Sequence, residues 1–315
     1  MSRPILVTGA AGFAGRHLLD LLTSRDTTGE IVCWHRPGRV PPNRGKAVKW
    51  EAVDVLDRQM VIKAVSRLKP ALVYHCAGAA HVGQAWERTE ATFATNVRGT
   101  HHLFDGLDLA SEEALVLIPS SALVYQPAGE PLSEEHPLIP TSPYGLSKLA
   151  QELVGRHAAP GIEVTIARAF NHFGPGQDPA FSTSAFARQI ATIEAGLQPP
   201  ELIVGNLEAK RDLTDVRDTV RAYATIADRG TPGRVYNVCS GRAMAIRDVL
   251  EMLVARAGVA IRVHVDPARF RPNDVPLLLG NPARIRDELG WTPRLPIERT
   301  IDDVLAYWRG VIAAA

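Results

Sequence analysis

The chain has 315 residues, is 46% hydrophobic and 22% charged, and carries a formal net charge of +1. That is ordinary globular composition, sufficient for one large or two closely joined domains whose core needs no disulfide or metal staples. Near-neutral charge without a Lys/Arg run argues against a nucleic-acid partner, and no apolar stretch reaches membrane-span or signal-peptide length, so cytosol is expected.

The first half alternates short apolar runs with helical patterns. "PILVT" precedes a helix from about Gly12 to Ser24, and the strand "EIVCWH" follows. "ALVYHCA" leads into a long helix ending near "THHLFDGL". "ALVLIPSSALVY" precedes a helix that starts at Tyr144, and "IEVTIARAF" follows it. Continuous Val/Ile/Leu runs separated by helices predict an α/β fold, a doubly wound parallel sheet of Rossmann type covered on both faces.

After residue 170 the chain turns to Pro- and Gly-rich loops, "FGPGQDPAF", "GLQPPELIVGN" and "ARFRPNDVP", with helices expected at 182–196, 217–229, 246–257 and 296–313. This pattern suggests a smaller α/β substrate-binding domain, with the chain crossing back to the sheet at "RVYNVCSG". The expected division is 1–169 with 212–239 for the dinucleotide half, and 170–211 with 240–315 for the other. Cys33, Cys76 and Cys239 lie far apart in apolar strand-like runs, which suits buried thiols rather than a disulfide set or a metal site.

In "PILVTGAAGFAGRHLLDLL", Gly9, Gly12 and Gly15 fall between a strand and an amphipathic helix. The first glycine permits the tight turn, the second lets backbone approach a pyrophosphate, and the third lets helix and strand pack closely. The second strand ends in "CWHRPGR", with no acid to accept a ribose 2′-hydroxyl but with His35, Arg36 and Arg39. Arginine makes paired, charge-assisted bonds to phosphate, so the cofactor indicated is NADP rather than NAD. Asp54, in "EAVDVLD" after the third strand, suits the adenine edge and equally a turn cap.

"SPYGLSKLAQE" places Tyr144 and Lys148 four apart, on one helix face. The spacing also suits a tyrosine lying on a lysine stem. Beside a nicotinamide site it acquires a chemical sense. A free phenol titrates near 10, and a nearby ammonium together with an oxidised nicotinamide would lower that value. Tyr144 would then serve as general acid or base on a carbonyl/alcohol, while Ser121, at the end of a strand, hydrogen-bonds the same oxygen.

These elements resemble the extended short-chain dehydrogenase/reductases over essentially the whole chain. The matching stretches are "TGAAGFAG", "HCAGAA", Asn96 in "ATNVRGT", "SSALVY", "YGLSK", "ARAFNHFGPG", "RDLTDVRD" and "LGWTP". The resemblance implies a cofactor site that adds Phe13, Ala14, Val55, Ala77, Gly78, Ala79, Asn96, Tyr144 and Lys148 to the residues above. It implies a nucleotide-sugar site built from Ser121, Ala122, Tyr144, Asn171, Arg188, Arg211, Arg271 and Asp274, with Arg211 and Arg271 on the diphosphate. Nucleotide-sugar 4,6-dehydratases carry an acidic pair just after the active-site Ser/Thr, and this chain has Ala122 and Leu123 there. GDP-fucose synthases use a Cys two residues after the serine and a His after "GP"; here Leu123 and Gly176 stand in those places.

The substrate half, in "FARQIATIEAGLQ", "LIVGN", "VYNVCSG" and "DPARFRPND", is similar to the GDP-6-deoxy-D-mannose reductases within that family. That similarity implies NADPH-dependent reduction of the C4 ketone of GDP-4-keto-6-deoxy-D-mannose to GDP-D-rhamnose, with Tyr144 protonating the developing alkoxide. A 4-epimerase that retains NAD, a reductase of dTDP- or UDP-linked ketosugars, and a non-catalytic NADP-sensing protein are the other readings. The helices around "ATFATNVRGTHHLFDGL" and "YGLSKLAQELVGRHAA" carry apolar residues beyond one sheet contact, and the family pairs such helices, so a homodimer is expected.

Overall fold

The computed structural model describes residues 3–25, 29–38, 48–110, 112–270 and 275–315. Strand β1 (Ile5–Thr8) runs into α1 (Phe13–Ser24), followed by β2 (Ile31–His35), β3 (Lys49–Ala52), α2 (Arg58–Leu68) and β4 (Leu72–His75). Two short helices, α3 (Gln84–Glu87) and α4 (Thr89–Phe93), lead through a π-helical turn (Ala94–Arg98) into α5 (Gly99–Ala110). The long helix expected from sequence is thus broken, and the wide turn falls on Asn96. Then come β5 (Ala114–Ser121), α6 (Pro143–Arg156) and β6 (Ile162–Ala169).

The second half holds β7 (Asn171–Phe173), α7 (Ser182–Glu194), β8 (Glu201–Val204), β9 (Lys210–Asp215), α8 (Val216–Arg229) and β10 (Val235–Val238). It ends with β11 (Ala243–Ala245), α9 (Ile246–Val254), β12 (Arg262–Val265), β13 (Leu277–Leu278), α10 (Ala283–Leu289) and α11 (Ile297–Ala313).

Seven parallel strands form one sheet in the order β10-β6-β5-β4-β1-β2-β3. The order reverses between β1 and β4, which opens a crevice at the carboxyl ends of those strands. Leu18, Leu19 and Leu22 of α1 are buried with Val220, Tyr223 and Ile226 of α8 on one face of the sheet. Val61 and Val65 of α2 pack with Leu103 and Leu107 of α5 on the other. Each such side chain contributes roughly 1.5–3 kcal/mol by leaving water, and together they hold the strand ends in place.

In the second half of the chain β11, β9, β13 and β7 form a small sheet, and β8 pairs with β12. The "FGPG" turn ties this half to α1: Arg16 donates to the Gly176 carbonyl at 2.9 Å and His17 contacts the Pro175 carbonyl at 2.9 Å. The three cysteines are free thiols, Cys33 and Cys239 buried and Cys76 half-buried. Among the described residues no helix is long and apolar enough to cross a membrane.

Candidate active site

The crevice floor begins at the glycine turn. Gly9 has φ +62°, and a Cβ there would stand 2.6 Å from the Ala77 nitrogen. A Cβ on Gly15 would meet the Gly9 carbonyl oxygen at 2.4 Å. Helix α1 has Gly12 as its N-cap, with no side chain capping its first N–H groups. Backbone can therefore come close to a ligand, and a helix N-terminus faces it. This cradle fits the pyrophosphate of a dinucleotide.

Along the same edge, His35 and exposed Arg36 leave the end of β2. Asp54 accepts from the Leu56 N–H at 3.0 Å, so its carboxylate closes the local turn. Val55 packs against Gly99. Arg39 lies outside the described residues.

Past β4, Asn96 clamps the turn at Ala77–Ala79. Its side-chain oxygen accepts from the Ala79 N–H at 2.7 Å, and its amide donates to the Ala79 carbonyl at 3.2 Å and to the Ser147 hydroxyl at 2.9 Å. Asn96 is fully buried. It thereby fixes the turn after β4 against the helix that carries Tyr144 and Lys148.

That helix, α6, opens with Ser142 as N-cap, its hydroxyl accepting from the Gly145 N–H, and with Pro143 at N1. Gly145 lets it sit against the turn after β5, since a Cβ there would lie 2.2 Å from the Leu123 carbonyl oxygen. The close approach joins the Ser121 hydroxyl to the Tyr144 phenol by a hydrogen bond.

The phenol differs from the sequence expectation. Burial pushes Tyr144 up to about 12, with the Ser121 bond opposing. Desolvation of the anion outweighs the hydrogen bond, because a phenolate in this cleft would lose its water. The Lys148 ammonium is engaged elsewhere: it donates to the Pro119 carbonyl at 2.6 Å and to the Gln151 side-chain oxygen. Burial lowers Lys148 to about 8, and the nearby Glu152 carboxylate opposes that shift. Glu152 is itself held by Arg168 at 2.9 and 2.7 Å and by the Ser120 hydroxyl at 2.5 Å, all buried.

Ser121, Leu123 and Tyr144 open into a cavity of about 670 Å³ that extends into the second half of the chain. Asn171 and Arg211 reach its wall. Arg211 donates to the Val275 carbonyl at 2.6 Å, while Asp212, its neighbour, is taken up by Ser240, Gly241 and Gly280. Ala122 is buried beneath the turn and does not line the space.

Arg188 is exposed on the outer side of α7, 5.8 Å from the centre of the Trp308 ring. The helix turns Gln189 into the cavity instead. Arg271 and Asp274 lie outside the described residues. Sequence reasoning passed over Arg269, which lines the cavity and donates to the Ile203 carbonyl at 2.9 Å; the run "RFR" carried two arginines and only the second was chosen. It also passed over His81 and Phe181, which line the cavity with their rings stacked at 4.9 Å.

Residues 6–304 match the family model described as GDP-mannose 4,6 dehydratase. The chain is 33% identical to the GDP-6-deoxy-D-mannose reductase of Pseudomonas aeruginosa over 98% of both chains. It superposes on the structure of RMD from P. aeruginosa complexed with NADPH with a TM-score of 0.84 and 32% identity, covering 98% of this chain and all of that one. It is also similar to the UDP-glucose 4-epimerase of Thermus thermophilus in complex with NAD, at 27% identity and a TM-score of 0.84, over 98% of this chain and 99% of that one.

Proposed function

Because the chain belongs to the GDP-mannose 4,6-dehydratase family of extended short-chain dehydrogenase/reductases, we propose that it reduces the C4 ketone of a nucleotide-linked 4-keto-6-deoxyhexose, with GDP-4-keto-6-deoxy-D-mannose as substrate and NADPH as reductant. One pairing carries this reading. Ser121 and Tyr144 stand at the head of the cavity with Lys148 buried one turn behind the tyrosine, yet Ala122 and Leu123 follow the serine, and neither side chain holds a proton. Loss of water from the sugar needs an acid and a base at those places; carbonyl reduction does not. The likeness to the P. aeruginosa reductase, which spans nearly the whole chain, adds support.

The residues divide the work as follows. Gly9, Gly12, Phe13, Ala14 and Gly15 would hold the cofactor's pyrophosphate, and Ala77, Gly78 and Ala79 its nicotinamide half. His35 and Arg36 would meet the 2′-phosphate, with Asp54 and Val55 beside the adenine. Bound there, NADPH supplies the two electrons and one hydrogen that reduce the ketone. Tyr144 gives its proton to the sugar oxygen, and solvent restores it. Ser121 donates to the same oxygen as negative charge develops. Lys148 would hold the nicotinamide ribose and keeps positive charge beneath the site. Asn171 and Arg211 would hold the nucleotide sugar, Arg211 at the diphosphate. On this reading residues 1–169 and 212–239 make the cofactor-binding half, and 170–211 with 240–315 the sugar-nucleotide half.

The test is incubation with NADPH or NADH and a panel of GDP-, UDP- and dTDP-linked 4-ketosugars, followed by NMR of the product. NADPH consumption with a GDP-linked D-rhamno or 6-deoxy-D-talo product is expected. Interconversion of a UDP-hexose at C4 with no net cofactor consumption would identify a 4-epimerase instead.

A further inference from the structure

Behind Lys148 lies a closed chain of buried hydrogen bonds. Gln151, one turn along α6 and fully buried, accepts from the Lys148 ammonium and donates through its amide nitrogen to the Thr100 hydroxyl at 2.9 Å. Thr100 gives its single proton to the Asn96 carbonyl at 2.7 Å, so its oxygen must accept from Gln151 and also from His75 Nε2 at 2.8 Å. His75 therefore carries its proton on Nε2. Its Nδ1 accepts from the Thr8 hydroxyl at 2.9 Å, and the Thr8 oxygen accepts from the Ala77 N–H at 3.1 Å. Each bond in the chain has an assigned donor and acceptor, and every member from Thr8 to Gln151 is buried. The direction of each bond is thus determined, and the Gln151 amide can face Lys148 only with its oxygen.

We propose that Gln151 is a positioning residue of the active site. Its amide, oriented by Thr100 and His75, holds the Lys148 ammonium in place and sets the pH range over which the site is charged. The geometry is supported by the electrostatics around Lys148. Glu152 faces it from its own helix, where Tyr144 sits one turn earlier, His75 and Cys76 face it from the end of β4, and Tyr223 of α8 lies beside Cys76 and Tyr144. Burial keeps His75 neutral, down to about 3, and keeps the Cys76 thiol, up to about 12, and both phenols neutral. Glu152 is the anion in this set, and Arg168 already binds both its oxygens. The side-chain acceptor directly on the ammonium is Gln151.

This inference rests on the functional reading above only for its effect on turnover. The test reads Lys148 directly. The protein has six lysines, so 13Cε-labelled lysine gives a resolvable NMR titration, with Lys148→Arg identifying the signal. Gln151→Met removes the acceptor and keeps the shape. The Lys148 midpoint should fall by about one pH unit or more, the size expected for a lost charge-assisted bond. Gln151→Glu puts a carboxylate on the ammonium, and the midpoint should rise. Opposite shifts in two folded variants are not what a packing role would give. If neither variant moves the Lys148 midpoint while its melting curve stays cooperative, the positioning role is refuted. If both midpoints move but the alkaline limb of kcat does not follow them, the Lys148 assignment in catalysis fails and the positioning of its charge stands.

Discussion

Tyr144 keeps its proton through the whole neutral range because burial pushes it up to about 12, which suits a group that donates to a forming alkoxide. Tyr144→Phe should lower kcat by roughly a hundredfold to ten-thousandfold, the range for a positioned general acid, while NADPH binding by fluorescence titration stays unchanged. Lys148 sets the upper limit of the working range. Its folded value is lowered to about 8, so the ammonium is complete below that and is lost as the pH rises through it. Reductive turnover should therefore fall on the alkaline side of about 8, in a pH–kcat profile taken with saturating substrate. Arg211→Ala should raise KM for the nucleotide sugar on the order of tenfold to a hundredfold, as one charge-assisted bond is worth, with kcat falling less because the diphosphate contact exists in ground and transition states alike. Unchanged KM would reject that contact. Arg36→Asp should narrow or reverse a preference for NADPH over NADH, measured as the ratio of the two kcat/KM values.

At the scale of elements, the site depends on how closely helices approach strand ends. Gly145 is the clearest instance. In an exposed helix, Gly→Ala stabilises by about 0.5–1 kcal/mol; here the added methyl would strike the Leu123 carbonyl oxygen. Gly145→Ala should instead destabilise by roughly 1–3 kcal/mol, as overpacking does, and should slow turnover by moving Tyr144 from Ser121. Calorimetry and kcat on one preparation check both. The same closeness explains what could be read from sequence. The glycine turn and the Tyr144–Lys148 pair are contiguous in the chain, so spacing alone displays them. Gln151 shares a helix face with Lys148 and could have been found by the same spacing. The cavity wall could not, because it is assembled from segments far apart. Arg188 and Gln189 show why: one step along a helix rotates a side chain by about 100°, so Arg188 lies outside by the Trp308 ring while Gln189 lines the cavity. Asn96 was placed, but the π-helical turn that aims it was not. An extra residue in one turn leaves the apolar period of the flanking helix almost unchanged.

On the scale of the whole molecule, α6 leaves Leu146 and Leu153 half exposed, at 49% and 48%, and Leu109 ends α5 at 59%. Leu146 and Leu153 are two turns apart on one face. A second copy across a two-fold axis would cover them, so light scattering at micromolar concentration should return twice the chain mass, and Leu146→Glu with Leu153→Glu should halve it. A monomer in the unaltered protein would reject this. The large sheet also carries its own reporters of opening. Cys33 lies on β2 near one edge, Cys76 follows the central β4, and Cys239 follows β10 at the other edge. Burial pushes Cys33 and Cys76 up to about 12, and Cys239 well above the ordinary thiol range. An alkylating reagent at neutral pH therefore meets little thiolate, and at Cys33 and Cys239 no access, until local structure gives way. Labelled over time and read by peptide mass, the three sulfurs would date the loosening of the sheet at its centre and at both edges. Half-buried Cys76 should be reached first, and a cofactor held in the crevice should slow it most.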